Sequence, residues 1–225
     1  MLNSPTNRIW FVIPLYNEAA VIGRVVREVR QAGYQVVCVD DGSRDRSGFQ
    51  ADQAGAEVVT HPVNLGQGAA LQTGIEYTLR RGALYIVTYD ADGQHQLSDA
   101  EAMLNLCMED NLGIVFGSRF LDHRTQPGRL KSIVLQFAAW FTSKSTGMNL
   151  SDAHNGLRVL RADAARGINL RHDRMAHATE IVRQIAATHL PWAEFPVHIL
   201  YTDYSKAKGQ SLWNSVNILV DLMAR

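Results

Sequence analysis

The chain predicts an α/β domain with a mainly parallel central sheet flanked by helices, in the manner of Rossmann-like nucleotide-binding folds. Three observations carry this expectation. Strand-like apolar runs alternate with amphipathic helical stripes from residue 9 to residue 117, the pattern of successive βα units. At 225 residues and 46% apolar, the chain can bury one sizeable core and is globular in composition. Polar residues follow directly on the strand-like runs: Asn17, Asp40, Asp41, Asp90, Asp92 and Arg119. In a parallel sheet those positions share the carboxyl edge, where ligands of such folds gather.

The elements follow in order. The first strand covers 9–13 and ends at Pro14. A helix with the stripe Val21, Ile22, Val25, Val26 and Val29 comes next, and Gly33 stops it. The second strand, 35–39, runs into Asp40-Asp41-Gly42-Ser43. A short helix is expected over 44–54 and a third strand over 57–60. Asn64-Leu65-Gly66-Gln67-Gly68 is a loop that opens a helix reaching about Arg81. A strand over 84–87 precedes Tyr89-Asp90-Ala91-Asp92-Gly93-Gln94, and a helix over 99–110 and a strand over 113–117 follow. The second half is less regular. Residues 130–142 are strongly apolar, and 151–158 form a polar segment before a short strand. A helix over 179–188, a strand over 192–200, a loop at 204–211 and a last helix complete the chain. No repeat or linker interrupts it, so one domain over 1–225 is expected.

Charge and cysteine usage exclude several classes. Lys plus Arg and Asp plus Glu balance at 22 each, which gives no support for bulk nucleic-acid binding. Cys38 falls in an expected strand and Cys107 in an expected helix, without metal-type spacing. Both read as buried thiols, which suits a reduced, cytosolic setting. Met1 to Arg8 lack the apolar core of a signal peptide, and no apolar run is long enough to span a bilayer. The first strand leads into Pro14-Leu15-Tyr16-Asn17, without the Gly-rich turn of a dinucleotide site, and no Walker-type loop is present.

The chemistry centres on Asp90 and Asp92. On a continuing strand, residues i and i+2 point to the same side, so both carboxylates could face one hard cation. Gln94 adds a neutral oxygen. Oxygen ligands of this kind suit Mg²⁺ or Mn²⁺, which retain waters and bridge to substrate phosphates. The competing reading is a solvated turn rich in Asp and Gly.

Several short motifs occur together in one order: residues 12–18 (Val-Ile-Pro-Leu-Tyr-Asn-Glu), Val39-Asp40-Asp41-Gly42-Ser43, Asn64-Leu65-Gly66 and Asp90-Ala91-Asp92. That ordered set resembles family 2 glycosyltransferases, whose domain has the GT-A fold. Asp92-Gly93-Gln94-His95, Gly117-Ser118-Arg119-Phe120 and the segment from Asp152 to Arg158 make it most similar to the dolichol-phosphate mannosyltransferase and polyprenyl-phosphate glycosyltransferase branch. Two features depart from that branch. Gln67 stands where members often carry a basic residue, and Ala153-His154-Asn155 replaces small hydroxyl residues. Many relatives carry membrane helices after this domain; none is visible in this sequence.

The resemblance implies a metal-dependent, inverting transferase that moves a sugar from a nucleotide diphosphate sugar to a dolichyl or undecaprenyl phosphate. Asp40 or Asp41 would accept from a base or ribose donor, with Pro14, Tyr16 and Glu18 closing that pocket. The alternative for Asp41 to Ser43 is the start of the next helix. Gly66 would lie at the phosphates. Asp92, with Gln94, would hold Mg²⁺ or Mn²⁺, and Asp90 would contact the ribose or the metal. Lys206 and Lys208 would sit in a loop that closes over the donor. Arg119 and Arg129 match phosphate-contacting arginines of the branch, with Lys131 as a weaker candidate.

An acceptor hydroxyl, as in polysaccharide synthesis, would need a base. Asp152 is then the candidate, with His154 and His177 behind it; Asp152 could equally brace Arg158 or cap its loop. Glu180 resembles an acid many relatives carry on that helix. A third reading is a nucleotide-sugar-binding protein without catalysis. Trp140, Phe141, Trp213 and Val216 read as core, or as a lipid groove touching the membrane surface. On this division 1–120 would bind the donor and 121–225 the acceptor. The protein would be cytoplasmic, or peripheral on the cytoplasmic face of a membrane.

Overall fold

The computed structural model describes residues 5–122, 139, 143–144, 146–170 and 176–200. Its central strand is β1 (Ile9–Leu15). Ile9, Phe11, Ile13 and Leu15 face one hydrophobic layer, and Trp10 and Val12 face the other. Strand side chains alternate between faces, so a strand covered on both sides reads as an unbroken apolar run.

The remaining elements are α1 (Ile22–Gln31), β2 (Gln35–Asp40), α2 (Ser47–Gln53), β3 (Glu57–Thr60), α3 (Gln67–Arg80), β4 (Tyr85–Thr88), α4 (Leu97–Glu109) and β5 (Ile114–Ser118). Then come β6 (Arg158–Arg161), α5 (Ala162–Arg166), α6 (Ala176–Thr188) and β7 (Trp192–Pro196). They form a seven-stranded sheet in the order β3-β2-β1-β4-β6-β5-β7. Four of its neighbouring pairs are parallel, and both pairs made by β6 are antiparallel. The expected mainly parallel sheet is therefore present. Residues of α1, α2 and α4 pack on one face, and residues of α3, α5 and α6 on the other. Helix α3 lies so close to the sheet that a Cβ on Gly74 would fall 2.3 Å from Val12 Cγ1. Only glycine fits that contact without movement.

Several boundaries differ from the expectation, among them the following three. Strand β1 does not end before Pro14 but continues to Leu15, paired with β2 through Pro14↔Val39 and Leu15↔Asp40. Val12 accepts from Tyr89 N, so its backbone faces β4, and Pro14, two residues on, faces the same way. The β1–β4 pairing stops at Val12↔Thr88, so the N–H that proline lacks has no ladder partner to lose. Helix α2 starts at Ser47, not at 44, because the Asp45 carboxylate accepts from Ser47 N at 2.9 Å and Ala19 N at 3.2 Å and holds a turn. Strand β7 stops at Pro196, short of residue 200.

This topology places the site. Strands β1 and β4 are neighbours, but the chain leaves them in opposite directions across the sheet. Crevices open at such switch points, outside the carboxyl ends of the strands. The antiparallel β6 enters the sheet at that same edge, with Arg158 opposite Thr88. Residues before β6 therefore reach the edge that residues after β1, β2 and β4 also reach.

Candidate active site

The larger of two adjoining cavities is a cleft of about 400 Å³ over the carboxyl ends of β1 and β4. Pro14, Tyr16, Glu18, Asp41, Gly66, Asp90 and Asp92 line it. A second chamber, of about 240 Å³, continues on the β6 side, lined by Gln94, His95, Arg119, His154, Arg158 and others. Gln67, Asp90 and Asp92 belong to both.

The residues after β2 build the outer wall. Asp41 is 3% exposed. Its Oδ1 accepts from Leu65 N and its Oδ2 from Gly66 N, each at 2.8 Å. His61 Nδ1 lies 2.7 Å from the same Oδ1, and His61 Nε2 lies 3.0 Å from Thr73 Oγ1. Asp41 thus clamps the loop that opens α3. Asp40 accepts from Ser43 N at 2.9 Å and lines neither cavity. It shapes the turn from behind. Gly66 has φ 95°, a left-handed conformation that lets the chain turn into α3 at the cleft wall.

The residues after β4 stand between the two cavities. Asp90 Oδ2 accepts from His95 Nε2 at 2.9 Å, and its Oδ1 from Gln67 Nε2 at 3.4 Å. Asp92 Oδ1 accepts from Gln94 N at 3.0 Å. Burial, and next the neighbouring Asp90 charge, push the Asp92 carboxyl up to about 6. Two carboxylates in a partly desolvated cleft raise each other's pKa unless a cation lies between them. Among the described residues no group of three or more His, Cys, Asp or Glu forms a metal cluster. A two-carboxylate set still fits a hard divalent ion, which completes its shell with water and substrate phosphate. Gln94 is held by its own carbonyl, which accepts from Leu200 N at 2.9 Å.

Nitrogen-bearing side chains, among them His95, Arg119, His154 and Arg158, also line the chamber. Arg119 Nε donates to Asp152 Oδ2 at 2.6 Å, and Arg119 N donates to the same oxygen at 3.2 Å. Asp152 Oδ1 accepts from His154 N at 3.3 Å. The Asp152 side chain is 1% exposed and lines neither cavity. Glu194 on β7 fixes this turn, accepting from Ser151 N at 2.9 Å and Asp152 N at 3.2 Å. Asp152 therefore braces Arg119, and not Arg158, the partner weighed from the sequence. Glu180 accepts from Gln184 Nε2 at 3.3 Å and lines neither cavity.

Sequence reasoning did not single out Arg158 or Glu194 as site residues. Arg158 offered a signal: an arginine between Leu157 and Val159, at a position that pattern marks as inward. Arg129, Lys131, Lys206 and Lys208 lie outside the described residues, as do Trp140, Phe141, Trp213, Val216 and the His177 side chain.

A mainly parallel sheet with a carboxylate pair at its switch point defines a ligand-binding α/β domain, and comparison with known proteins gives its class. The family model described as "Glycosyl transferase family 2" matches residues 10–167, so the chain belongs to glycosyl transferase family 2. It is 27% identical to UDP-N-acetylglucosamine–dolichyl-phosphate N-acetylglucosaminyltransferase of Methanococcus voltae, over 96% of this chain and 94% of that protein. It is 31% identical to undecaprenyl-phosphate mannosyltransferase of Micrococcus luteus, over 72% of this chain and 70% of that one. The crystal structure of glucosyl-3-phosphoglycerate synthase from Mycobacterium tuberculosis, in complex with Mn²⁺, UDP and phosphoglyceric acid, superposes with a TM-score of 0.70. That alignment is 16% identical and covers 97% of this chain and 78% of the other. The GT-A fold, the enzyme class and the likeness to the polyprenyl-phosphate branch are thereby shown. The non-catalytic reading falls.

Proposed function

We propose that this enzyme transfers a sugar from a nucleotide diphosphate sugar to a polyprenyl phosphate, with inversion at the anomeric carbon. One observation carries the reading: Asp90 and Asp92 are shared by two adjoining cavities of different chemistry. The larger cleft suits the donor. Pro14, Tyr16, Glu18 and Asp41 face its base and ribose, Asp40 supports them through the Ser43 turn, and the Gly66 backbone approaches its phosphates. Asp90, Asp92 and Gln94 would hold Mg²⁺ or Mn²⁺, which would supply positive charge against the departing diphosphate.

The chamber suits the acceptor phosphate, beside Arg119. The anomeric carbon then lies between the cavities. Its bond to the diphosphate oxygen breaks with the electron pair leaving on the nucleoside diphosphate, and an acceptor phosphate oxygen bonds the opposite face. That oxygen is already anionic at neutral pH, so no base is needed. The burial of Asp152 against Arg119 supports this reading over transfer to a hydroxyl. The names of the relatives support a lipid phosphate acceptor, and the Mn²⁺ and UDP of the structural neighbour support a divalent ion. Arg129 and Lys131 would add acceptor contacts, and Lys206 and Lys208 would close over the donor. Residues 1–120 then serve the donor and 121–225 the acceptor. Among the described residues no helix is long and apolar enough to cross a membrane. We place the enzyme at the cytoplasmic membrane surface, where its lipid acceptor would be met.

Screening nucleotide sugars for Mn²⁺-dependent thermal stabilisation tests the donor side. Transfer from the donor so found to undecaprenyl phosphate tests the acceptor side. Arg119→Ala is expected to lose transfer by about tenfold or more with donor stabilisation unchanged. No stabilisation by any nucleotide sugar, or wild-type transfer by Arg119→Ala, overturns the reading.

A further inference from the structure

Arg158 is 2% exposed, yet its guanidinium is poorly satisfied. Nη2 donates to Ala153 O across 3.4 Å, and the buried Nε has no partner among the described residues. Arginine carries five N–H donors in a fixed fork, and leaving such donors unmet in a protein interior is costly. Asp152, the nearby acid that could have taken the fork, gives its Oδ2 to Arg119. Asp90 also acts on Arg158 through charge, but its carboxylate oxygens are engaged by His95 and Gln67. Burial pulls Arg158 down to about 10, which leaves it cationic at neutral pH.

The location gives this group a purpose. Arg158 begins β6 opposite Thr88, at the carboxyl edge, and lines the smaller chamber together with Arg119 and His154. Asp90 and Asp92 line the same chamber. A buried guanidinium with an unpartnered Nε, beside a second arginine in the chamber wall, suits an oxyanion, and fork geometry matches phosphate oxygens. The position of Arg158 on a strand, and not on a loop, holds the fork at a fixed distance from the reacting centre.

We propose that Arg158 is an acceptor-binding residue, whose buried fork takes the phosphate of the acceptor inside the chamber beside Arg119. The inference rests on the transfer reaction proposed above only for the lipid attached to that phosphate. Arg158 as a mere counter-ion of Asp90 and Asp152 is the alternative, and the two make opposite forecasts. An unmet buried charge replaced by an apolar side chain of similar volume leaves stability unchanged or raised. A counter-ion so replaced strands two acids and destabilises the fold.

The test uses Arg158→Met and Arg158→Lys in the full chain, with farnesyl phosphate and inorganic phosphate as probes. Arg158→Met is expected to melt at or above the wild-type temperature and to keep its stabilisation by Mn²⁺ with nucleotide diphosphate. Its affinity for farnesyl phosphate is expected to fall about tenfold or more, with Arg158→Lys between the two. Wild-type farnesyl phosphate affinity in a folded Arg158→Met overturns the inference. Failure of both variants to fold also overturns it, because it makes Arg158 a counter-ion. If the wild type binds inorganic phosphate through Arg158 but ignores farnesyl phosphate, the anion site stands and the lipid acceptor falls. If it binds neither probe, the inference falls while the donor reading is untouched.

Discussion

Arg119 Nε and Asp152 Oδ2 lie 2.6 Å apart in a pair whose side chains are 11% and 1% exposed. The carboxylate also takes Arg119 N, so one acid fixes both the backbone and the guanidinium of its partner. Asp152→Asn is expected to lower acceptor affinity while leaving the donor KM unchanged. Its pH–rate profile should keep the wild-type shape, because no proton-accepting step is removed. A lost basic limb in that profile would reinstate Asp152 as a general base. Asp152→Ala strands the arginine and should cost about 3 kcal/mol of stability, visible as a lowered melting temperature.

Asp92 predicts a link between pH and metal. Its carboxyl is pushed up to about 6, above the value of about 3.9 expected in an unfolded chain. Between those values the folded state binds the extra proton, so the metal-free protein loses stability as pH rises from about 4 to about 6. Above that the penalty is complete, on the order of 2–3 kcal/mol. A divalent ion that replaces the proton removes it. Mn²⁺ is expected to raise the melting temperature at about pH 7.5 and far less at about pH 5. Asp92→Asn should abolish both that difference and nucleotide-sugar turnover. Equal Mn²⁺ shifts at the two pH values would contradict the assignment.

Asp41 answers two backbone donors with two oxygens. An amide offers one oxygen and turns an NH₂ toward the other donor, at a cost of about 2 kcal/mol. Asp41→Asn is expected to lower the melting temperature and raise the donor KM, with kcat less affected. Steady-state kinetics against donor concentration would show the split; a fall in kcat alone would place Asp41 at the chemistry instead.

Gly156 backs directly onto Asp90. A Cβ there would fall 2.3 Å from Asp90 Oδ2. The obstructing atom ends a side chain, so the fold can yield where the site cannot. Gly156→Ala should melt close to wild type without metal and lose about tenfold or more in metal-dependent turnover, because small displacements at a reacting centre are expensive. Full activity in this variant would show that Asp90 tolerates the shift.

The legible parts of the site are those that follow parallel strands. Tyr16, Asp41, Asp90, Asp92 and Arg119 each trail an apolar run, and the sheet does gather them around two adjoining cavities. Asp40 trails such a run too, but its carboxylate holds Ser43 N and lies against Gly48. Glu194 reaches the site from the opposite end of the chain's order, through the β5–β7 pairing, and nothing local marks it.

Local periodicity and the order of short motifs were enough to establish the alternating strands and helices, the family likeness and the acids of the switch point. Those features depend on neighbours a few residues apart, which a chain displays directly. The direction of β6 and its insertion between β4 and β5 depend on long-range pairing, and they decide which arginine meets Asp152 and which keeps an unpartnered Nε. Charge partners are chosen by distance after folding, and spacing along the chain does not encode that distance.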